Sequence, residues 1–253
     1  SASGFSDFAG STLVHACGGS AALAGVIILG AREGRFGKKG EKKSMEPFAA
    51  SSIPLVTLGT FLLWFGWFGF NGFSQLAMGT FDDVNAISKI AVNTHLAGAA
   101  GTVTGAALTR LIGGKTDIVM MLNGALAGLV AITAEPLTPG PITAMIIGSI
   151  GAVIMYYGTK LLESYRIDDV VGAIPVHMFA GIFGTLVVPL TNDNTSFGTQ
   201  LVGVISVCVF SFILSWISFT TLKSTIGLRI SKAAEKLGTD KAEVGVIAYS
   251  IRD

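Results

Sequence analysis

The sequence predicts an all-α integral membrane protein with seven transmembrane helices. Three observations lead to this fold class: a shortage of charge, seven long apolar stretches, and a one-sided distribution of lysine and arginine. Only 13% of the 253 residues are charged, whereas soluble domains carry roughly 25%. So few charges cannot cover the surface of a water-soluble domain of this size, but lipid solvates an apolar exterior.

Seven stretches approach the length of about 20 mostly apolar residues that a membrane-spanning helix needs. In chain order the predicted spans are Phe8–Leu29, Ile53–Met78, Ala86–Ile112, Ile118–Ala134, Ile142–Leu162, Val170–Leu190 and Gln200–Leu222. The fourth is the shortest but is still sufficient. Polar or turn-forming segments separate the spans, among them Arg32–Lys43, Thr80–Asp83, Gly113–Asp117, Glu135–Pro141 and Thr191–Gly198. We therefore assign residues 1–228 to one transmembrane domain and residues 229–253 to a polar C-terminal tail.

The distribution of lysine and arginine supports the division into seven spans and gives the chain a direction. With seven spans, successive loops alternate between the two sides of the membrane. One side receives 16 of the 17 lysines and arginines, and the other receives only Lys89. The positive-inside rule places the cation-rich side in the cytoplasm. The N-terminus of the chain is therefore predicted to lie outside, and the C-terminus inside.

The remaining composition excludes several classes of partner and cofactor. The formal net charge is +1, so nothing indicates nucleic-acid binding. Cys17 and Cys208 both lie within apolar runs, where cysteine behaves as a small buried hydrophobic residue. We predict neither a disulfide, nor a metal site, nor a cofactor.

An internal repeat relates the first and sixth spans. Both contain the pattern D-x-x-G-x-x-x-V-H-x-x-x-G, beginning at Asp7 and at Asp169. The two spans cross the membrane in opposite directions, so the repeat is inverted, which is typical of transporters. The offset of five spans predicts repeat units of five helices. Only the last helix of the first unit is present, so we expect about four further helices upstream of Ser1.

The repeat singles out two of the three histidines, His15 and His177. A buried histidine is usually a satisfied core residue, but an inverted repeat brings these two to the same membrane depth. A neighbouring imidazole pair can share one proton, with one ring donating and the other accepting. His95 has no counterpart in the repeat, and we interpret it as a residue of helix packing or hydrogen bonding.

The aspartates of the repeat have two possible roles. Asp7 and Asp169 each lie eight residues before a histidine, about two helical turns away. Each carboxylate could attract a cation or handle a proton, or could cap the N-terminus of its own helix, where the helix dipole favours negative charge. Capping is slightly favoured. Pro175 is expected to bend the sixth helix just before His177.

An aromatic run near the outer end of the second span also has two interpretations. Trp64 and Trp67 fit an interfacial aromatic belt. Alternatively, Phe70 could gate a dry pore and attract a small cation to its ring face, while Ser74 accepts a hydrogen bond from that cation at the mouth. The sequence does not separate these two interpretations.

At these residues the chain resembles the ammonium transporters of the Amt/Mep/Rh superfamily, on the bacterial Amt side. The resemblance extends from Asp7 to about Thr225. It is carried by four motifs, which occupy Asp7–His15, Gly66–Ser74, Asn123–Thr133 and Asp168–Gly184. It implies an eleven-helix fold with a five-plus-five inverted repeat, of which this chain would form helices five to eleven.

The resemblance also implies functional roles for particular residues. His15 and His177 would be the twin histidines that line the pore, Phe70 one phenylalanine of the external gate, and Ser74 part of the outer cation site. Asp7 would lie beneath that site in a mainly structural role, with Asn71, Asp169 and Trp67 as possible supporting residues. The implied protein is a homotrimer in the plasma membrane, the inner membrane of a bacterium, that takes up ammonium.

This chain departs from the family pattern at three places. The second gate phenylalanine and the outer-site tryptophan fall in helices that the chain does not contain. Gly172 stands where many members carry an acidic residue. The tail only partly resembles that of the family, which bears on the binding of a regulatory PII-type protein from the cytoplasm.

Three classes of function are compatible with a helical membrane protein. We expect transport of ammonium or ammonia, with ammonium deprotonated before it passes the histidines. An ammonium sensor of the same fold is the alternative, although the tail is short for a signalling domain. An enzyme or a retinal protein is not expected, because no span carries a central lysine, and Lys223 lies at a helix end.

Overall fold

The computed structural model describes residues 4–37 and 48–248, and within these residues all regular secondary structure is helical. Seven long helices form the bundle: α1 (Ser11–Leu29), α2 (Ile53–Gln75), α3 (Phe81–Gly113), α4 (Ile118–Ile132), α5 (Pro141–Ser164), α6 (Ile174–Leu190) and α7 (Phe197–Thr225). A short helix, α8 (Lys232–Leu237), follows in the tail. Parts of the predicted loop Arg32–Lys43 and of the predicted tail 229–253 lie outside the described residues.

The helices differ in how readily they would cross a membrane. In the described part of the chain, α1, α2, α5 and α7 are long and apolar enough to do so, whereas α4 and α6 are shorter apolar helices. Helix α3 has 33 residues but is rich in glycine, alanine and threonine rather than in large apolar residues. These seven helices correspond one to one with the seven spans predicted from the sequence.

Hydrogen-bonded caps move several helix starts away from their predicted positions. The segment Thr80–Asp83 is not a loop: Thr80 Oγ1 accepts from the Asp83 backbone N–H at 3.1 Å, and Asp83 Oδ2 accepts from the Thr80 N–H at 3.1 Å. This capping box begins α3 at Phe81 instead of Ala86. A similar box, formed by Ser196 and Thr199, begins α7 at Phe197 instead of Gln200.

Pro175 does not bend the interior of a helix, contrary to the prediction from the sequence. Helix α6 begins at Ile174 instead of Val170, so Pro175 lies in the first turn. Backbone N–H groups in the first turn have no partner within the helix, and a proline there loses no hydrogen bond. The end of α2 also differs, because Leu76 adopts a left-handed conformation with φ 59° and the helix stops before Met78.

Helices α1 and α6 cross in opposite directions, as the inverted repeat predicts. Three pairs of positions meet across the crossing: Thr12 with Thr185, Ala16 with Gly181, and Gly19 with Met178. As the residue number rises along α1, that of its contact on α6 falls, so the two helices are antiparallel. The last two pairs are equivalent under the repeat offset of 162 residues. The first turns of both helices are π-helical, over Ser11–Ala16 and Ile174–Phe179.

Glycines allow this crossing because the two backbones touch. A Cβ atom on Gly19 would lie 2.6 Å from the Met178 backbone nitrogen, and one on Gly181 would lie 3.2 Å from the Ala16 nitrogen. Small residues at such contacts are the usual means of close helix association in membranes. Gly18, by contrast, has no neighbouring atom within 4 Å of the position that a Cβ would occupy.

We expect Gly19→Ala to destabilise the protein, because its methyl group must push α6 away. Overpacking of this kind costs about 1–3 kcal/mol. Thermal unfolding of the protein purified in detergent would measure the effect, with Gly18→Ala as the matched control. Equal midpoints for the two variants would contradict the assignment of Gly19 to the crossing.

Helices α3, α4 and α5 form the other tightly packed part of the bundle. Gly101 of α3 and Gly124 of α4 approach each other, so that a Cβ on either would meet the carbonyl of the other. Gly148 of α5 lies against the backbone of Ala97 in the same way. Helix α6 packs against this three-helix unit, with Gly184 of α6 in contact with Ala131 of α4.

The histidine pair and its surroundings

The two histidines of the repeat lie in contact at the α1–α6 crossing. His15 Nδ1 and His177 Nδ1 are 3.2 Å apart, within hydrogen-bond distance. The ring planes are inclined by only 21°, with centroids 5.2 Å apart. The prediction that these two side chains lie side by side is therefore confirmed. Since the contact joins like nitrogens, one ring must carry its proton on Nδ1 and the other must accept there.

Trp67 packs against His15. Its ring is nearly parallel to that of His15, with centroids 5.0 Å apart and an interplanar angle of 18°. The indole Nε1 of Trp67 donates to Thr133 Oγ1 at 2.9 Å, and Thr133 donates to the Leu129 carbonyl. A supporting role for Trp67 was proposed from the family resemblance. The anchor Thr133 was not singled out as a site residue, because nothing in its spacing marks it.

Phe70 lies next to this stack. Its ring centroid is 5.5 Å from that of His15 and 5.8 Å from that of Trp67, and the residue is 38% exposed. Ser74 follows one turn later, but its hydroxyl donates to the Phe70 carbonyl at 2.8 Å. Ser74 therefore keeps its oxygen lone pairs available to accept, as the sequence interpretation requires. No second phenylalanine ring stacks on Phe70 within the described residues.

A cavity of about 240 Å³ lies beside the histidine pair. Apart from His15 and His177, the residues that line it are small or apolar: Val14, Gly18, Gly19, Ala22 and Ala173. The two imidazoles are thus the only titratable lining groups that the described residues contribute. A small molecule in this space would meet the two imidazole rings and otherwise hydrocarbon and backbone.

The two aspartates of the repeat cap their helices. Asp7 Oδ2 accepts from the backbone N–H groups of Thr12 and Leu13, at 2.9 and 2.8 Å. Asp169 accepts from three successive N–H groups, those of Gly172, Ala173 and Ile174. Capping, which the sequence slightly favoured, is therefore present at both positions. The glycines between the carboxylates and the helices, Gly10 and Gly172, both have positive φ angles, of 107° and 77°.

Three site residues carry buried polar atoms that lack a hydrogen-bond partner within residues 4–37 and 48–248: Asp7 Oδ1, His15 Nε2 and Asn71 Oδ1. Asn71 uses its amide nitrogen to donate to Thr94 Oγ1 at 2.9 Å. Buried polar atoms are normally paired with protein or ordered water. Of the three residues, only His15 also lines the cavity beside the histidine pair.

The third histidine lies apart from the pair. His95 is exposed on α3 and contacts the rings of Trp64 and Phe68, at centroid distances of 5.5 and 6.2 Å. These contacts agree with the prediction of helix packing for His95. Its exposure and its separation from the pair make it a suitable reference histidine for experiments.

The arrangement of the pair suits proton exchange in an apolar environment. A charge at the centre of a bilayer costs several kcal/mol, about 2.5–3.5 kcal/mol on insertion scales. Two neutral rings that share one proton avoid that cost, because each satisfies the other. Such a pair can pass a proton on: one ring takes up a proton at Nε2, the shared proton shifts between the Nδ1 atoms, and the other ring releases the proton on its Nε2, so that donor and acceptor roles are exchanged.

The helices and this site together define a multi-pass membrane protein with a polar pair enclosed in an apolar bundle. Comparison with known proteins then identifies the group. The sequence model of the Ammonium Transporter Family matches residues 1–249, and the chain belongs to that family.

Particular relatives support this assignment. The ammonium transporter Amt2 of Archaeoglobus fulgidus is 40% identical over 263 aligned residues, which cover 96% of this chain. Among solved structures, one described as a sensor Amt protein superposes with a TM-score of 0.86 at 34% identity over 94% of this chain. Candida albicans Mep2 superposes with a TM-score of 0.78 at 29% identity over 95% of this chain.

The alignments cover much less of the relatives than of this chain. They include 55% of the Archaeoglobus protein, 60% of the sensor Amt chain and 56% of the Mep2 chain. The chain thus spans about half the length of the curated relatives that it matches.

Proposed function

We propose that this chain forms part of a transmembrane pathway for ammonium and ammonia. The observation that carries the proposal is the His15–His177 contact, 3.2 Å between ring nitrogens, beside a cavity with an otherwise apolar or small-residue lining. Membership of the ammonium transporter family supplies the substrate. The protein is proposed to be a transporter and not an enzyme.

The proposed mechanism follows from the cost of moving a cation through a dry space. Ammonium is recruited at the outer mouth, near Ser74 and the ring face of Phe70. It loses a proton at or before Phe70, so that neutral ammonia passes the two histidines. The proton leaves to water at the mouth or crosses separately along the histidine pair. In each case the cavity does not have to hold a bare cation.

The Asp7 carboxylate has two roles in this proposal, one structural and one electrostatic. Asp7 Oδ2 holds the start of α1, while Asp7 Oδ1 has no partner among the described residues. Its role is mainly structural, and its charge adds to the attraction of cations towards Ser74. Asn71, Asp169 and Trp67 support the site by hydrogen bonding, capping and stacking, respectively.

The cellular setting is likewise proposed from the family and from the distribution of charge. The protein is a homotrimer in a bacterial plasma membrane. The N-terminus of this chain lies outside, and the C-terminus lies in the cytoplasm with most of the lysines and arginines. A PII-type regulator is a possible cytoplasmic partner, but the divergent tail does not favour it. Residues 1–228 form the transmembrane domain, and residues 229–253 form the tail.

An ammonium sensor is the second candidate, because one matched structure is described as a sensor Amt protein. A sensor of this fold would bind ammonium without conducting it. The exposed Phe70 and the cavity are compatible with either role, so the decision requires a flux measurement.

We expect the native protein, reconstituted into vesicles, to alkalinise or acidify the interior when an ammonium gradient is imposed. A trapped pH-sensitive dye would follow the change, and vesicles without protein would provide the background. Flux above that background, without a matching potassium flux, supports transport. Saturable ammonium binding with no flux above background would instead identify a sensor.

A further inference from the structure

A second cluster of charged residues lies at the opposite end of the molecule from Ser74. It forms where the segment after α1, the connection between α5 and α6, and the tail after α7 meet. Two ion pairs join the segment after α1 to the end of α5 and the connection that follows it: Arg32 to Asp168 at 2.8 Å, and Arg35 to Glu163 at 3.0 Å. In the tail, Glu235 pairs with Arg229 at 2.7 Å and also accepts from the Glu33 backbone N–H at 2.8 Å, which links the tail to the segment after α1. The cluster takes no part in the proposed transport site.

A pocket of about 480 Å³ opens within this cluster. Four of its lining residues are cationic and only one is acidic: Arg32, Arg166, Arg229 and Lys232 against Glu33. Pockets for small ligands usually measure about 300–1,000 Å³. This pocket therefore has the size of a ligand site and a positive lining.

The carboxylates near the pocket do not neutralise all of its cations. Arg32 and Arg229 each have a close carboxylate, whereas Lys232 is 3.8 Å from Glu33 and its side chain is 83% exposed. Arg166 makes no ion pair within residues 4–37 and 48–248. It donates to the Gly37 carbonyl and lies over the Phe36 ring. No carboxylate within the described residues offsets the charge of Arg166, and the Lys232–Glu33 pair is long and exposed, so a bound anion could use both cations.

The buried Asp168 carboxylate holds the Arg32 side chain in the wall of the pocket. Asp168 is buried, with its side chain 3% exposed, and Arg32 donates to both of its oxygens at 2.8 Å. Burial raises the pKa of Asp168, but its hydrogen bonds with Arg32 outweigh burial and hold the pKa below its usual value. Asp168 therefore stays ionised at neutral pH and keeps the Arg32 guanidinium in place.

We propose that this pocket, lined by Arg32, Arg166, Arg229 and Lys232, binds a phosphate group. Guanidinium groups match the geometry of phosphate oxygens and bind them through paired, charge-assisted hydrogen bonds. Three arginines from three separate segments converge here, so one phosphate would join the loop after α1, the α5–α6 connection and the tail. The phosphate belongs either to a soluble anion or to the headgroup of an anionic lipid at the membrane surface.

The first test is a titration of the native protein, purified in detergent, with sodium phosphate and sodium pyrophosphate by isothermal calorimetry. Arg166→Gln removes a charge that has no ion-pair partner among the described residues, and it leaves the Arg32–Asp168 pair intact. We expect it to weaken binding about tenfold, since a hydrogen bond to a charged group is among the stronger ones. Lys232→Gln, at an exposed position that does not endanger folding, is expected to weaken binding about threefold. Lys115→Gln is the matched control, because Lys115 is an exposed cation outside the pocket.

The second arm separates the two sources of phosphate. The same four proteins are placed in lipid nanodiscs of phosphatidylglycerol or phosphatidylcholine, and retained lipid is counted by native mass spectrometry. Binding of free phosphate that falls in the Arg166 and Lys232 variants supports a soluble ligand. Retention of phosphatidylglycerol that falls in the same variants, without binding of free phosphate, supports a lipid. If neither probe distinguishes these variants from Lys115→Gln, the proposal is wrong.

Discussion

Replacing His15 or His177 with alanine in the native protein is expected to abolish or derange ammonium conduction while the protein remains folded in the membrane. The two rings satisfy each other through the 3.2 Å contact between their Nδ1 atoms. Removing one leaves the other as an unpaired polar group, at a cost of about 1–3 kcal/mol. That cost is too small to unfold a bundle held by backbone contact at many glycines. It is large enough to change which molecules the cavity admits, since water or a hydrated ion can occupy the vacated space.

Other substitutions at His15 and His177 test whether proton exchange is what the histidine pair contributes. A carboxyl group can give and take a proton, so replacement of either histidine with aspartate or glutamate should impair conduction less than alanine does. His95→Ala serves as the matched control, because His95 is exposed and lies apart from the pair. It should conduct like the wild type.

The vesicle assay with a trapped pH dye measures both rate and selectivity for these variants. Alanine variants that retain the wild-type rate and the wild-type discrimination against potassium would show that the pair is structural. In that case the argument from proton exchange would fail, although membership of the family would stand.

Gly18→Leu is expected to block conduction without destabilising the protein. Gly18 lines the cavity beside the histidines, and no atom lies within 4 Å of the position that its Cβ would take. A leucine there enters empty space and meets no backbone, in contrast to any side chain at the neighbouring Gly19. It occupies volume that the permeating molecule needs in a cavity of only about 240 Å³.

A graded series tests this second prediction. Flux should fall from wild type to Gly18→Ala and then to Gly18→Leu, by at least about tenfold at leucine, if the cavity lies on the only path. Gly113→Leu adds the same side chain at another open position, at the end of α3, and should leave flux unchanged. Unfolding midpoints measured in parallel must stay close to that of the wild type. Full flux through a stable Gly18→Leu variant would place the path elsewhere.

The sequence was sufficient for the seven helices and for the histidine pair, for different physical reasons. Lipid imposes length and hydrophobicity on every span, so the spans can be read directly from composition. The pair is predictable because an inverted repeat places equivalent positions near a common axis, and His15 and His177 are equivalent. No property of either histidine alone would have indicated the contact.

Other features depend on contacts that no local pattern reveals. The true start of α3 is set by the capping box of Thr80 and Asp83, and that of α6 by the Asp169 carboxylate, and hydropathy does not detect these hydrogen bonds. Thr133 supports Trp67 from a different helix, across 66 positions of sequence. The different environments of Gly18 and Gly19 arise only because α6 passes over one and not the other. The positive pocket likewise joins residues that are far apart in the chain.

The main-chain contact between α1 and α6 has a consequence for how the site tolerates change. At Gly19 and Gly181 the backbones of the two helices touch, so backbone geometry sets the spacing of the imidazoles. Substitutions among the surrounding apolar residues, or a different lipid mixture, can alter the walls of the cavity while this spacing persists. Changes in the residues that line the cavity therefore need not change the distance between the two imidazoles. Different apolar side chains can occupy the lining while the histidine pair keeps its geometry.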